Sequence, residues 1–515
     1  MDCHATVCHM TVRRTTTRSA TVLATLLIAS ALVVGCGGGG GGGSGIAAGP
    51  LYWAIPLIPT SASRTLKVGV RNLDSSATTI VIQSYRPGGL TYAAPIALTL
   101  DAGDERILTL STVLSGNAAA GGIVYVQTPS RLVDVYFDVD VPAETAAEAS
   151  RAYALPDLAS PPPGPFRTGV NVTTLTTSVQ FANASGGIVA MTVTAYEEST
   201  VDPLLPPVPH TVVLAPFASG ESRVFTPDAL SGITGFVGSF LVASPSPVVA
   251  AAEEDLAFDI PRVATADRTV STSVFFGQDP RTVVPSYLDF ALVARNDLDV
   301  ARTIQLTRIS RDDGTALFTA TRTISLAAHE SRAIATTEAP FADLLGDVLA
   351  ASAFQRLSIQ LTVPAGVDVG FRQFEPQFLA ANMTLEPTPI GHILIVSDVR
   401  TLAVLPSLVR SYATVYNPGN VTITVVAEAL VPQPAGFDAS IVPISTLTIP
   451  AHGQVEFSPD GTTYANRDLV HVDHVGLRLR SNAALSVAAR RETRTAAGAV
   501  DTLVPLPVRS FDDGE

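Results

Sequence analysis

Cysteine is almost missing from this chain: Cys3, Cys8 and Cys36 are the only three in 515 residues. Cys3 and Cys8 precede the one long apolar stretch, so a chain cut after that stretch keeps Cys36 alone and can form no internal disulfide. Each folded part must then be held by burial alone. Charge is scarce as well, 15% of residues against the ~25% of ordinary soluble domains. What charge there is runs acidic, with 46 carboxylates against 32 basic residues, which disfavours nucleic acid and anionic lipid surfaces as partners. Lys67 is the only lysine; the arginine bias reads as a GC-rich genome and not as an arginine-based site. Motifs of nucleophilic, phosphate-binding and zinc-protease chemistry are missing: no G-x-S-x-G follows a buried strand, and neither G-x-x-x-x-G-K nor H-E-x-x-H occurs. The expectation is a protein that is not an enzyme and uses no cofactor.

What is present begins with Arg13, Arg14 and Arg18, followed by an apolar run from Ala20 to Val34. A charged region before an apolar one is the form of a signal peptide. The run is shorter than the ~20 residues a membrane-spanning helix needs. Met10 is an alternative start that gives a leader of more ordinary length. Seven glycines, Gly37 to Gly43, follow Cys36. With no Cβ and a high entropic cost of ordering, the stretch to Pro50 reads as a flexible tether reaching roughly 20 Å. Removing residues 1–35 takes three arginines and Asp2, leaving 29 basic and 45 acidic residues and a net charge of −16.

Val33-Val34-Gly35-Cys36 resembles the lipobox of bacterial lipoproteins, with Val33 where Leu is usual. The resemblance implies that Cys36 is the lipidated N-terminus of the mature chain. Gly37, where an Asp would retain the protein at the inner membrane, implies an outer-membrane address. The partner so implied is the membrane itself, reached through the lipid, with the protein on either the surface or the periplasmic side.

Beyond the tether the sequence repeats. Strand-like stretches align on Asn72, Asn183, Asn296 and Asn417, which are 111, 113 and 121 residues apart. Thirteen residues after each Asn stands Tyr85, Tyr196, Ile309 or Leu430. A second block then turns at Gly103, Gly220, His329 and His452-Gly453, and a third closes each unit with two strands around a small turn. Alternation such as Leu66, Val68 and Val70 against Lys67 and Arg71 marks strands with one buried face. The Asn reads as structural, placed where the chain must turn because Asn accepts left-handed backbone angles. The units are residues 51–155, 156–272, 273–390 and 391–510, after a leader at 1–35 and a tether at 36–50. Helical pieces are expected only at 143–153 and 341–354.

About seven short strands per unit predict an all-β chain, a tandem array of four immunoglobulin-like β-sandwiches. "YNPGNVTITVV" and "LTIPAHGQVEF" resemble the adhesion-related immunoglobulin-like repeats of bacterial surface proteins. That resemblance implies adhesion or scaffolding toward a protein or glycan ligand. The other readings are an envelope-polymer hydrolase or accessory module with a site between repeats, and a periplasm-facing assembly factor.

Two clusters invite metal chemistry. His471, Asp473 and His474 are ligand types for zinc, but on a strand His474 points away from the other two. Asp134, Asp138, Asp140 and Glu144, then Glu253, Glu254, Asp255 and Asp259, could hold calcium between repeats; solvated strand faces are the simpler reading. The array is expected to be a rod spanning roughly 120 to 150 Å. Its fourth unit would lie farthest from Cys36 and meet the ligand through Arg490, Arg491, Arg494 and the segment at 471–474.

Overall fold

The chain divides into Met1–Ala48 and Gly49–Glu515. The computed structural model describes residues 51–57, 65–117, 121–129, 132–140, 147–151, 153–154, 166–173, 176–199, 209–255, 259–263, 265–266, 272–278, 289–317, 320–335, 338–343, 357–374, 383–385, 390–399, 402–404, 407–431, 440–458, 475–494, 500–506 and 508–510. Cys36 and the glycine run lie outside these residues, as do His471, Asp473, His474 and Glu144.

The described chain is all-β, as its Val, Thr and Ala content and two-residue alternation lead one to expect. In the strand Thr78–Tyr85 the residues Thr78, Ile80, Ile82 and Ser84 are buried, while those between them are exposed or half-buried. One pairing scheme recurs in all four repeats. In the first, the strands Ile96–Leu100, Thr78–Tyr85, Gly122–Thr128 and Leu51–Leu57 form one sheet in that order, and Glu105–Thr109, Thr65–Asn72 and Val133–Asp140 form the other. The second repeat follows the same scheme, with Phe166–Val172 on Gly238–Ser244 and Thr176–Asn183 between Ser222–Phe225 and Val248–Asp255. So does the third, where Asp289–Asn296 lies between Ser331–Ala335 and Val367–Phe374. In the fourth repeat the last two strands are fused into one, Val475–Arg494, which pairs with both Ile390–Val399 and Ser407–Tyr416.

Each pair of sheets encloses its own core. Trp53, Ile80, Ile82, Val124 and Val126 from one sheet pack with Val68, Val70, Val135 and Phe137 from the other. The remaining three repeats have cores built around Phe181 and Phe240, Leu306 and Leu361, and Val425 and Leu479. At ~1.5–3 kcal/mol for each large side chain buried, these clusters are what the described residues, which include no cysteine, have to rely on.

The strand order differs from that of an immunoglobulin domain. In that fold the first strand joins the sheet of the second and fifth, and the seventh joins that of the third and sixth. Here the first strand pairs with the sixth, Trp53 opposite Val126, and the seventh pairs with the second, Tyr136 opposite Gly69. Strand number and spacing do not distinguish the two arrangements, because both use the same alternating pattern.

The helix expected at 143–153 is a strand where it is described: Ala147–Arg151 pairs with Val133–Asp140. Helix propensity, even that of alanine, is readily overridden by tertiary context, and the open sheet edge supplies a full row of backbone partners. Of the helix expected at 341–354, only residues 341–343 are described, and they are helical. Two short helices were not expected, Leu110–Val113 and Pro227–Ser231, capped by the Thr109 and Thr226 side chains. They bury Leu110, Val113 and Leu230 in the cores.

Candidate functional site

The aligned Asn residues are fully buried in all four repeats. Each Nδ2 donates at 2.7–2.9 Å to the carbonyl four residues on, that of Ser76, Gly187, Val300 or Val421. It also reaches the carbonyls ahead of the second turn: Leu100 and Asp101, Phe217 and Ala218, Ala327, or Ile449 and Pro450. Each Oδ1 accepts from the backbone N–H two residues on, in Asp74, Ser185, Leu298 or Gly419. The Asn therefore ties two turns together by its side chain.

The left-handed angle falls elsewhere. Among the described residues, positive φ outside glycine occurs only at Ser115, His329 and His452. His329 and His452, at φ 57° and 56°, stand where the first two repeats place Gly103 and Gly220 at 73° and 70°. The Nε2 of His329 hydrogen-bonds Asp299 Oδ1, and that of His452 bonds Asn420 Oδ1, each at 2.7 Å. The imidazole thus spans the same two turns that the Asn ties.

These two turns, with the strand end just before the Asn, form the face by which each repeat meets another. Between the first and second repeats, Tyr85 lies against Gly220, the Tyr125 hydroxyl donates to the Asn183 carbonyl at 2.8 Å, and Gln180 Nε2 donates to the Gly122 carbonyl at 2.8 Å. Buried Ile123, Ala182 and Val249 make an apolar centre there, edged by Tyr85, Tyr125, Phe166 and Ala184. Burial, and secondarily Tyr85, pushes the Tyr125 phenol well above its usual pKa. Between the second and third, Thr192–Ser199 pairs in parallel with Ser331–Ala335, joining two sheets into one. Arg295 sits 5.6 Å over the Tyr196 ring and bonds Asp297 at 2.6 Å. Burial, with Asp297 adding to it, pushes Tyr196 up to about 12. Between the third and fourth, the Gln454 backbone N–H donates to the Asp312 carbonyl at 3.0 Å and its side-chain amide to Asp312 Oδ1 at 2.9 Å. The Tyr416 phenol meets the hydroxyls of Ser310 and Ser358.

The same face of the first repeat is occupied by the fourth. Ser397 Oγ donates to Asp134 Oδ2. Arg509 Nη1 donates to the Val133 carbonyl at 2.7 Å, and its guanidinium lies 4.4 Å over the Trp53 ring. Arg71 fills the space that a side chain at Gly476 would need. Contacts therefore run from first to second, second to third, third to fourth and fourth to first. A head-to-tail contact of this kind closes on itself when its rotation permits. An extended line of four repeats does not accommodate this closure.

The first-to-fourth junction holds a buried ionic cluster. Arg71 Nη2 pairs with Glu105 Oε2 at 2.6 Å, both side chains 1% exposed, and Tyr136 donates to Glu105 Oε1 at 2.6 Å. Burial works to lower the Arg71 pKa, but Glu105, Tyr136 and Asp134 together outweigh it and hold the guanidinium above its ordinary range. Asp134 is directly across the strands from Arg71 and is buried, so it does not belong to a solvated strand face. The side chains of Asp138, Asp140, Glu253, Glu254, Asp255 and Asp259 lie outside the described residues. Among those described, no group of three or more His, Cys, Asp or Glu could hold a metal ion.

The basic strand of the fourth repeat is also not an open patch. Arg490 pairs with Glu456 at 3.0 Å and lies 4.8 Å over the Tyr412 ring, and Arg491 is 1% exposed. The Arg494 side chain lies outside the described residues. No protein family and no curated protein matches the chain.

Proposed function

We propose that the chain is a lipid-anchored cell-envelope protein that does no chemistry of its own. In this reading Cys36 carries the lipid, the glycine run keeps the folded part clear of the membrane, and four β-sandwich repeats act as a scaffold or adhesive surface for a protein or glycan. The observation that carries it is the order of features in the sequence: a charged and apolar leader ending at a small residue and Cys36, then a glycine tether, then four β-repeats. The recurring pairing scheme and the four separate cores support the repeat half of the reading. The buried carboxylates Glu105 and Asp134 are engaged by Arg71, Tyr136 and Ser397. Such groups serve packing between repeats better than hydrolysis of a polymer.

Cys36→Ser tests the anchoring. The variant should leave the detergent-extracted membrane fraction and appear as a soluble or uncleaved protein. Unchanged membrane partitioning would reject the lipoprotein reading, and protease treatment of intact cells would separate surface from periplasmic placement.

A further inference from the structure

We propose that the first-to-fourth junction is a seam at which the closed circuit of repeats opens while the other three junctions hold. The junctions differ in how they are built. In the first and third repeats the residue before the Asn is arginine and the residue across the strands is aspartate: Arg71 with Asp134, and Arg295 with Asp368. In the second repeat the same pair is Ala182 and Val249, and in the fourth it is Tyr416 and Ser486. Charged and neutral junctions therefore alternate around the circuit.

The two charged junctions are not equivalent. At the second-to-third, the parallel pairing of Glu198 with Ser331 and Ser199 with Arg332 carries backbone hydrogen bonds across the contact. At the first-to-fourth, the contacts among the described residues include the Asp134–Ser397 bond, the Arg509 contacts, the packing of Arg71 on Gly476 and the approach of Val500–Pro505 to Ala147–Arg151, and no described strand of one repeat pairs with a strand of the other. This is also the one junction whose two repeats do not follow each other in sequence, so no short connection keeps them near one another. That lowers the effective concentration that favours reclosure.

What is exposed on opening also differs. Parting the first and second repeats would bring Ile123, Ala182 and Val249 into water, at ~25 cal/mol per Å² of apolar surface. Parting the first and fourth hydrates Arg71, Glu105 and Asp134 instead. Desolvation of a buried ion pair takes back much of its attraction, so water compensates for much of what the opening breaks. The Arg71–Glu105–Tyr136 group lies within the first repeat and stays assembled on the opened face.

The test is thiol labelling of the full chain in which Cys3, Cys8 and Cys36 are replaced by Ser. One version adds Ser397→Cys at the seam, and another adds Ala182→Cys at the first-to-second junction, two sites 2% and 1% exposed. The expected result is labelling of the seam thiol at least about tenfold faster than that of the other, under native conditions. Arg71→Met, which leaves Glu105 and Asp134 without their cation, should speed labelling at the seam alone. Equal protection of the two thiols would overturn the proposal. So would equal acceleration of both by Arg71→Met, which would mark a general loosening. Trp53, the only tryptophan, sits under Arg509 and gives a readout that needs no introduced thiol. Its acrylamide quenching should rise in Arg71→Met, and no change would count against the seam.

Discussion

Replacing Asn183 by Ala should release the two turns it ties without unfolding the chain. Its side chain makes five hydrogen bonds: Nδ2 to the carbonyls of Gly187, Phe217 and Ala218 at 2.7, 3.2 and 3.0 Å, and Oδ1 from Ser185 N and Oγ at 2.8 and 2.7 Å. Two of the partners keep another donor, since the Phe217 carbonyl also accepts from Val189 N and the Ala218 carbonyl from Glu221 N. The loss is therefore less than five orphaned groups would cost. At ~0.5–1.5 kcal/mol for each net bond, about 3 kcal/mol is expected. At ~1.4 kcal/mol per factor of ten, that is a roughly hundredfold rise in local opening. Hydrogen exchange read by mass spectrometry should show it in Thr176–Asn183 and Ser222–Phe225, whose strands the two turns join. Asn183→Asp should cost at least as much at neutral pH, because a carboxylate would face three carbonyl oxygens. Its folded pKa would be raised, so stability should return as pH falls and the acid becomes a donor. A change in exchange below about threefold for Asn183→Ala, or normal protection in Asn183→Asp at pH 7, would refute the clamp.

Gly220→Ala should destabilise by more than the ~1–2 kcal/mol of a left-handed Ala, because the new Cβ would lie 2.7 Å from the Tyr85 ring of the neighbouring repeat. A fall in melting temperature no larger than that of Gly103→Ala would refute the added contact. Burial, with Arg308 adding to it, holds His452 below the ordinary imidazole range. Its neutral form is thus favoured on folding, and the stability it contributes is present above pH ~6.5 and lost as pH falls through the folded value. His452→Asn tolerates φ 56° without a proton to gain, so its melting-temperature difference from the natural chain should shift in its favour between pH 7 and 5. A constant difference would reject this. A fragment of residues 390–510 should melt cooperatively as a β-rich unit, since it carries a complete core around Val425 and Leu479; a fragment without a cooperative transition would show that the repeat depends on its neighbours.

The turn clamp was legible as a pattern before its mechanism was. The four Asn residues stand in register in the sequence, and their structural role could be inferred because no chemistry surrounded them. Their actual device, a buried amide bridging two turns thirty or so residues apart, could not be read there. Alignment shows that a position recurs without saying which partner it meets. The same limit applies to strand order. Alternation tells which face of a strand is buried, but both sheets of a sandwich alternate alike, so the exchange of the first and seventh strands left no mark on the pattern. Ala147–Arg151 was misread for a related reason, since its composition is helical and only the edge of Val133–Asp140 makes it extended.

Closure was the largest feature missed, and the residues that produce it were visible one at a time. Asp134 appeared among acids at the end of the first repeat, and Arg71 as the polar member of an alternating strand. A tandem array suggests a line because each unit is compared with the one before it. Identical head-to-tail faces determine only the turn from one repeat to the next, and whether four such turns make a line or a circuit depends on an angle that no single repeat encodes. The last repeat must then present to the first what each repeat presents to its successor. Ser397, Gly476 and Arg509 do this with residues that the other three repeats do not share in kind: the positions matching Gly476 are Ile123, Ser239 and Ser358. Only there is the side chain removed altogether, and it is there that Arg71 lies. A glycine inside a strand with no turn to make marks a junction that seats an arginine: Gly476 lies under Arg71, some four hundred residues away, as Gly169 lies under Arg295 at the second-to-third junction.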